Sequence, residues 1–265
     1  MTASPDAPAP VASPDPGPAA PHPGRPGRPG RPGRPGRPVG ASEDRATGTA
    51  TRRAAQLLGG LVLYAASIAL LVHSGLGNMP WDVLSQGTSR QIGWSLGTVT
   101  IAYSVVVLLC WWPLRQRPGI GTVANVVVIG VLIDPALALL DRLPDPLPLP
   151  ARVALVVAGI GLNGLASALY IGARLGPGPR DGLMTGVVAR TGWPVGPVRI
   201  AIEVTVVAVG WLLGGTVGLA TLAYALGIGP LIHWLLPRLT VPAVAAPEGP
   251  ATADVPADVE PGEGR

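Results

Sequence analysis

The chain has 265 residues, 48% of them hydrophobic and 13% charged, with 37 Gly, 32 Pro, one Cys and no Phe. All 19 basic residues are Arg, and the formal net charge of +4 sums a basic N-terminal stretch and an acidic C-terminal one. A strongly apolar middle between polar, Pro-rich ends argues against a single-domain soluble enzyme, and the lone Cys110 leaves no intrachain disulfide.

Residues 1–50 read as a tail. From Pro23 to Pro38 the sequence is PGRPGRPGRPGRPGRP. Proline at every third position removes backbone donors and fixes φ, so this segment is expected to be extended, solvated and disordered. With no apolar run before residue 54, no secretory signal peptide is expected. Arg25, Arg28, Arg31, Arg34 and Arg37 are candidates for binding anionic lipid headgroups, each contributing on the order of 1 kcal/mol. A linker with no partner reads equally well. Residues 239–265, with Glu248, Asp254, Asp258, Glu260 and Glu263, read as a second, acidic disordered tail on the cytoplasmic side.

Six apolar runs lie between the tails, at about 54–74, 95–113, 119–140, 152–173, 195–213 and 216–236. Each is long enough to cross a hydrocarbon layer of about 30 Å as a helix rising 1.5 Å per residue. The bilayer is therefore the first partner, and the fold class is all-α and polytopic. With the N-terminus inside, Arg45, Arg52, Arg53, Arg115, Arg117, Arg174, Arg180, Arg190 and Arg238 fall on the inner side, and only Arg90, Arg142 and Arg152 outside. That bias predicts a multi-pass protein of the bacterial cytoplasmic (inner) membrane with both termini in the cytoplasm.

Sliding the chain against itself by 99 residues aligns 53–135 with 152–234 without a gap. Roughly a third of the pairs are identical, where this composition alone would give roughly one in eight. Residues 51–141 and 152–238 thus read as two copies of one unit, joined by a Pro-rich connector at 142–151. Three spans per unit is an odd number, so the second copy must enter from the opposite side. The expectation is six transmembrane helices in two inverted three-helix repeats, an architecture common among secondary transporters.

The clearest match sets LGNMPWDVLSQGTSRQIGWSLGTV over LGPGPRDGLMTGVVARTGWPVGPV. Pro80 and Pro179 suit the first turn of a helix, and Asp82 and Asp181 put a carboxylate at its positive end. Gly77, Gly176, Gly93 and Gly192 are candidates for the bounding turns. A helix near 80–90 is too short to span, so it is either interfacial or a re-entrant half-helix, and only the second would line a pathway. The two Asp residues read as structural charges at helix starts or, alternatively, as ligand or ion contacts, with Arg180 beside Asp181. Glu203 lies near the middle of the fifth run with Arg199 four residues before it on the same face. An internal ion pair is the first reading; a polar-solute or proton site is the second. Asn125 and Asn163 are deep enough to hydrogen-bond between helices. Asp134 and its counterpart His233 read as solvated span ends, and the seven Trp as an interfacial belt.

The strings GLGNMPWDVLSQG, WPLRQRPGIGTVANVVVIG, ARLGPGPRDGLM and EVTVVAVGWLLGGTVGLATLAYALGIGP carry a resemblance to the YczE/YyaS/YitT family of bacterial integral membrane proteins, nearest its YczE-like branch. It covers about residues 53–238 and implies a multi-span membrane protein without naming a substrate or catalytic residues. The chain holds no GxxxxGK[ST], HExxH or CxxC, so ATP-driven transport, metalloenzyme chemistry, a resident cofactor and a metal are not expected, nor are an enzymatic activity and nucleic acid as a partner. A homo-oligomer remains open. Two functions stay in play: a small secondary transporter or permease for a polar or ionic solute, and a non-transporting membrane accessory or regulatory protein.

Overall fold

The computed structural model describes residues 40–241 apart from Asp145, with side chains from residue 48 onward. The Arg-rich repeat and nearly all of the acidic tail lie outside the described residues. Among those described, the chain forms α1 (Gly40–Ser74), α2 (Pro80–Ile92), α3 (Leu96–Leu114), α4 (Ile120–Leu140), α5 (Leu149–Gly172), α6 (Pro179–Thr191), α7 (Val195–Leu212) and α8 (Leu219–Leu239). Six are long and apolar enough to cross a membrane: Gly48–Ser74 of α1, and α3, α4, α5, α7 and α8. The fold is all-helical and multi-span, as the apolar runs predict.

Two boundaries differ from the sequence reading. Helix α1 begins at Gly40, inside the stretch taken as tail; no Pro occurs between Pro38 and Pro80 to stop it. The sixth apolar run starts at about 216, yet α8 starts at Leu219, because the backbone of Thr216 is bonded elsewhere: its N–H to Gln86 Oε1 at 2.7 Å and its carbonyl to Asn78 N at 3.2 Å.

Helix starts recur at the spacing of 99: Pro80 and Pro179, Leu96 and Val195, Ile120 and Leu219. Left-handed backbone recurs with them, at Gly77 (φ 124°) and Gly176 (130°) and at Gly93 (73°) and Gly192 (70°). Arg115 (54°) matches Gly214 (91°), and Arg174 (56°) matches Gly75 (62°). A side chain in that region is unusual, so at these two Arg positions the backbone path recurs at the spacing of 99 although the residue type does not.

The core forms where α1 lies along α5. Leu57, Leu61, Ala65 and Ile68 repeat every three or four residues and bury one face of α1. Close approach is set by one glycine from each copy: a Cβ at Gly60 would stand 3.0 Å from Ala166 O, and one at Gly159 2.9 Å from Leu71 Cγ. Helix α4 packs on α1 and α8 on α5. Each short helix is held by a long helix of the other copy, α2 by α7 and α6 by α3. The copies also exchange backbone bonds: Gly121 N donates to Leu175 O at 2.8 Å, and its counterpart Ala220 N to Leu76 O at 3.1 Å.

Candidate functional site

Helices α2 and α6 are each 13 residues long, about 20 Å at 1.5 Å per residue, and too short to span. Each starts with Pro, carries Asp in its first turn and ends at a left-handed Gly whose N–H caps the last turn. Their N-terminal ends open on one cavity of about 260 Å³. Met79, Pro80 and Trp81 form one wall and Gly178, Pro179, Arg180 and Asp181 another; Tyr64, Asn125, Tyr170, Arg199, Glu203 and Tyr224 complete its polar lining with Thr100, Ser104 and Ser167.

The two matched Asp residues have different surroundings. Asp82 is buried away from the cavity lining, and its Oδ1 accepts from Arg180 Nη2 at 3.1 Å. Its Oδ2 has no protein partner. Arg180 also stands 5.4 Å from the centroid of the Trp81 ring, a cation–π contact between residues that are themselves counterparts 99 apart. Taking both charges of the Asp82–Arg180 pair out of water costs several kcal/mol per ion, so removing either partner strands the other. Asp181 faces the cavity and accepts from the Tyr170 hydroxyl. Across the cavity, Arg199 Nε donates to Glu203 Oε1 at 2.8 Å.

The structure therefore brings Arg180, Asp181, Arg199, Glu203 and Asn125 to one cavity, with Asp82 bonded to Arg180 behind it. Asn163 stays outside. It is buried between α1, α5 and α8, donating to Ser67 Oγ at 2.9 Å and accepting from Tyr224 O–H at 3.0 Å. This is the interhelical bonding its depth suggests, and it orients a cavity tyrosine. Pro80, Pro179, Gly77, Gly176, Gly93 and Gly192 shape the chain on either side of the short helices.

Two readings are corrected. Trp111 is not in an interfacial belt: it is 1% exposed and its Nε1 donates to Pro179 O at 3.1 Å, so it supports the start of α6. Asp134 is not a solvated span end: its Oδ1 accepts from Gly97 N at 2.9 Å and caps α3 from α4. The residues missed in the sequence are Tyr64, Tyr170 and Tyr224, three of the chain's four tyrosines. In a chain with no Phe, hydroxyl-bearing rings in the middle of apolar runs are the signal that marks them.

The loops that enter α2 and α6 belong to a pattern matching residues 51–237, from the membrane part of α1 to the end of α8. The chain belongs to DUF6198, a family of unknown function. An uncharacterized protein of Haemophilus influenzae is 39% identical over 181 residues, covering 66% of this chain and 82% of that one. The uncharacterized membrane protein YczE of Bacillus subtilis is 30% identical over 181 residues, 68% of this chain and 83% of its own. The uncharacterized protein YyaS of the same organism is 25% identical over 179 residues, covering 67% and 89%. The resemblance carried by the short-helix loops and the later spans is thus to relatives of this family. No solved structure matches the chain.

Proposed function

We propose that this member of DUF6198 is a small secondary transporter or permease of the bacterial inner membrane, moving a polar or ionic solute through the cavity between α2 and α6. One observation carries the reading: two short helices, one from each copy, start at the same polar cavity within a bundle of membrane-length helices. Half-helices that meet near the middle of a bilayer are where transporters with repeated units hold their cargo. The recurrence of three helix starts at 99 residues supports an inverted pair of units, and the Arg bias supports both termini on the cytoplasmic side. The wall also offers Thr100, whose buried hydroxyl has no partner and would be satisfied by a polar solute. No chemistry beyond transport is proposed.

Reconstitution into proteoliposomes tests the proposal against a panel of small amines, carboxylates, polyols and monovalent ions. The expected outcome is flux of at least one of these that falls in Asp181→Asn and in Glu203→Gln. No flux across the panel, together with a protein that co-purifies stoichiometrically from native membranes, would replace transport by the accessory role.

A further inference from the structure

The two copies differ where their later long helices meet. Helices α3 and α4 are in close contact: a Cβ at Gly97 would run into Gly130 O, and one at Gly130 into the Ile101 side chain. The Asp134 carboxylate clasps the same joint through Gly97 N. In the second copy the corresponding glycines are Gly196 and Gly229, and nothing lies within 4 Å of where either would carry a Cβ. Helices α7 and α8 do not pack on each other as α3 and α4 do. His233 stands exposed at the position of Asp134 and makes no clasp.

The cavity registers this difference. Ile133 of α4 is 0% exposed and belongs to the core built on α1, whereas its counterpart Ile232 of α8 lines the cavity. Thr100 is buried, whereas its counterpart Arg199 is exposed. Beside the cavity, the α3–α4 joint is thus packed and the α7–α8 joint is not.

Glycine weakens an exposed helix interior, and in the open arrangement neither Gly196 nor Gly229 has a packing reason to be there. Both gain one if α7 closes on α8. We infer that α7 and α8 are the gate of the cavity: they close on each other through Gly196 and Gly229 as α3 and α4 do through Gly97 and Gly130, and this structure holds the gate open. The inference rests on the reading of the cavity as a solute site. Arg199 and Glu203 lie one helical turn apart on the moving wall, so closure would shut them in with the solute. Without a carboxylate at position 233, the second joint lacks the charge-assisted bond that holds the first, which makes it the easier of the two to open.

The test needs no identified solute. On a Cys110→Ala background in membrane vesicles, Ile232→Cys and Ile133→Cys are labelled separately with a water-soluble maleimide. Ile232→Cys should react about tenfold faster, since reaction scales with the fraction of molecules in which the site is open; equal rates would overturn the open mouth. Closure is read with Gly196→Cys/Gly229→Cys and copper phenanthroline. The expected result is an intramolecular disulfide, seen as a gel shift reversed by dithiothreitol. Each single cysteine variant faces open space, and its own maleimide labelling and monodispersity report that it has folded. Folded single variants whose double variant never cross-links would show a static mouth and overturn the gate. A wild type that moves no solute would instead remove the transport reading and leave the gate standing, so the two failures are separable.

Discussion

Helix α2 lies on α7 and helix α6 lies on α3, and these joints fill the same place in opposite ways. In the first, Gly210 and Gly215 of the α7 side come against the backbone of Val83 and Leu84, so close that a Cβ on either glycine would overlap it. In the second, the counterpart of Gly210 is Trp111 and the counterpart of Val83 is Gly182. The indole fills the joint, and a Cβ at Gly182 would overlap its ring. One joint is backbone against backbone; the other has a large side chain as its spacer. The path of the chain thus recurs at a spacing of 99, while exchanges of large for small residues across a joint give the two short helices different settings. Asp82 ends buried with Arg180, and Asp181 ends half-buried on the cavity wall.

Substitutions at matched positions can break this comparison. The largest effect is expected at the spacer. Trp111→Ala should cost about 3–5 kcal/mol, since a fully buried ring is lost and the cavity left behind collapses only in part. Its neighbour Trp112 is 87% exposed, and Trp112→Ala should stay within about 0.5 kcal/mol. Thermal unfolding in a mild detergent checks both, and similar shifts would show that Trp111 is no spacer. Next come the paired acids. Asp82→Asn strands Arg180 and should cost about 3 kcal/mol. Asp181→Asn leaves Tyr170 a neutral acceptor and should cost about 1 kcal/mol. Equal losses would mean that the two positions share one environment.

Much of this was legible in the chain itself. Hydropathy marks the spans because a membrane-length helix needs an unbroken apolar run, and the match at 99 residues marks the short helices because Pro at the start and Gly at the end are local requirements. The Arg199–Glu203 pair is local too, four residues apart on one face. What stayed hidden depends on contacts between distant segments. Asp82 and Arg180 are 98 residues apart, and Asp134 and Gly97 are 37 apart, so neither spacing advertises a bond. Trp111 sits at a run end, where a rule about membrane interfaces outranks any hint of burial. The three cavity tyrosines pass as span residues because a ring satisfies hydropathy whether or not its hydroxyl has work to do.

A smaller effect is expected at the clasp. Asp134→Ala removes a charged acceptor from Gly97 N and should cost about 1.5 kcal/mol, whereas His233→Ala, at the matched exposed position, should change stability by less than about 0.5 kcal/mol. His233→Asp would offer Gly196 N the acceptor that Gly97 N has. If the joint can close, it should favour the closed gate and slow maleimide labelling of Ile232→Cys.

The smallest effect on stability is expected for Arg199 and Glu203. Their side chains are 47% and 28% exposed, so the pair is screened and should contribute under about 1 kcal/mol. The matched residues, Thr100 and Ser104, hold the same turn with a hydroxyl-to-carbonyl bond of 2.8 Å and no charge. Grafting them as Arg199→Thr/Glu203→Ser should therefore leave the unfolding temperature nearly unchanged, so any loss of flux in proteoliposomes would come from the missing charges and not from a damaged fold. Undiminished flux in that variant would mean that the charges serve only to bridge one turn of α7, and the search for a charged contact to the solute would narrow to Asp181 and Arg180 on the opposite wall.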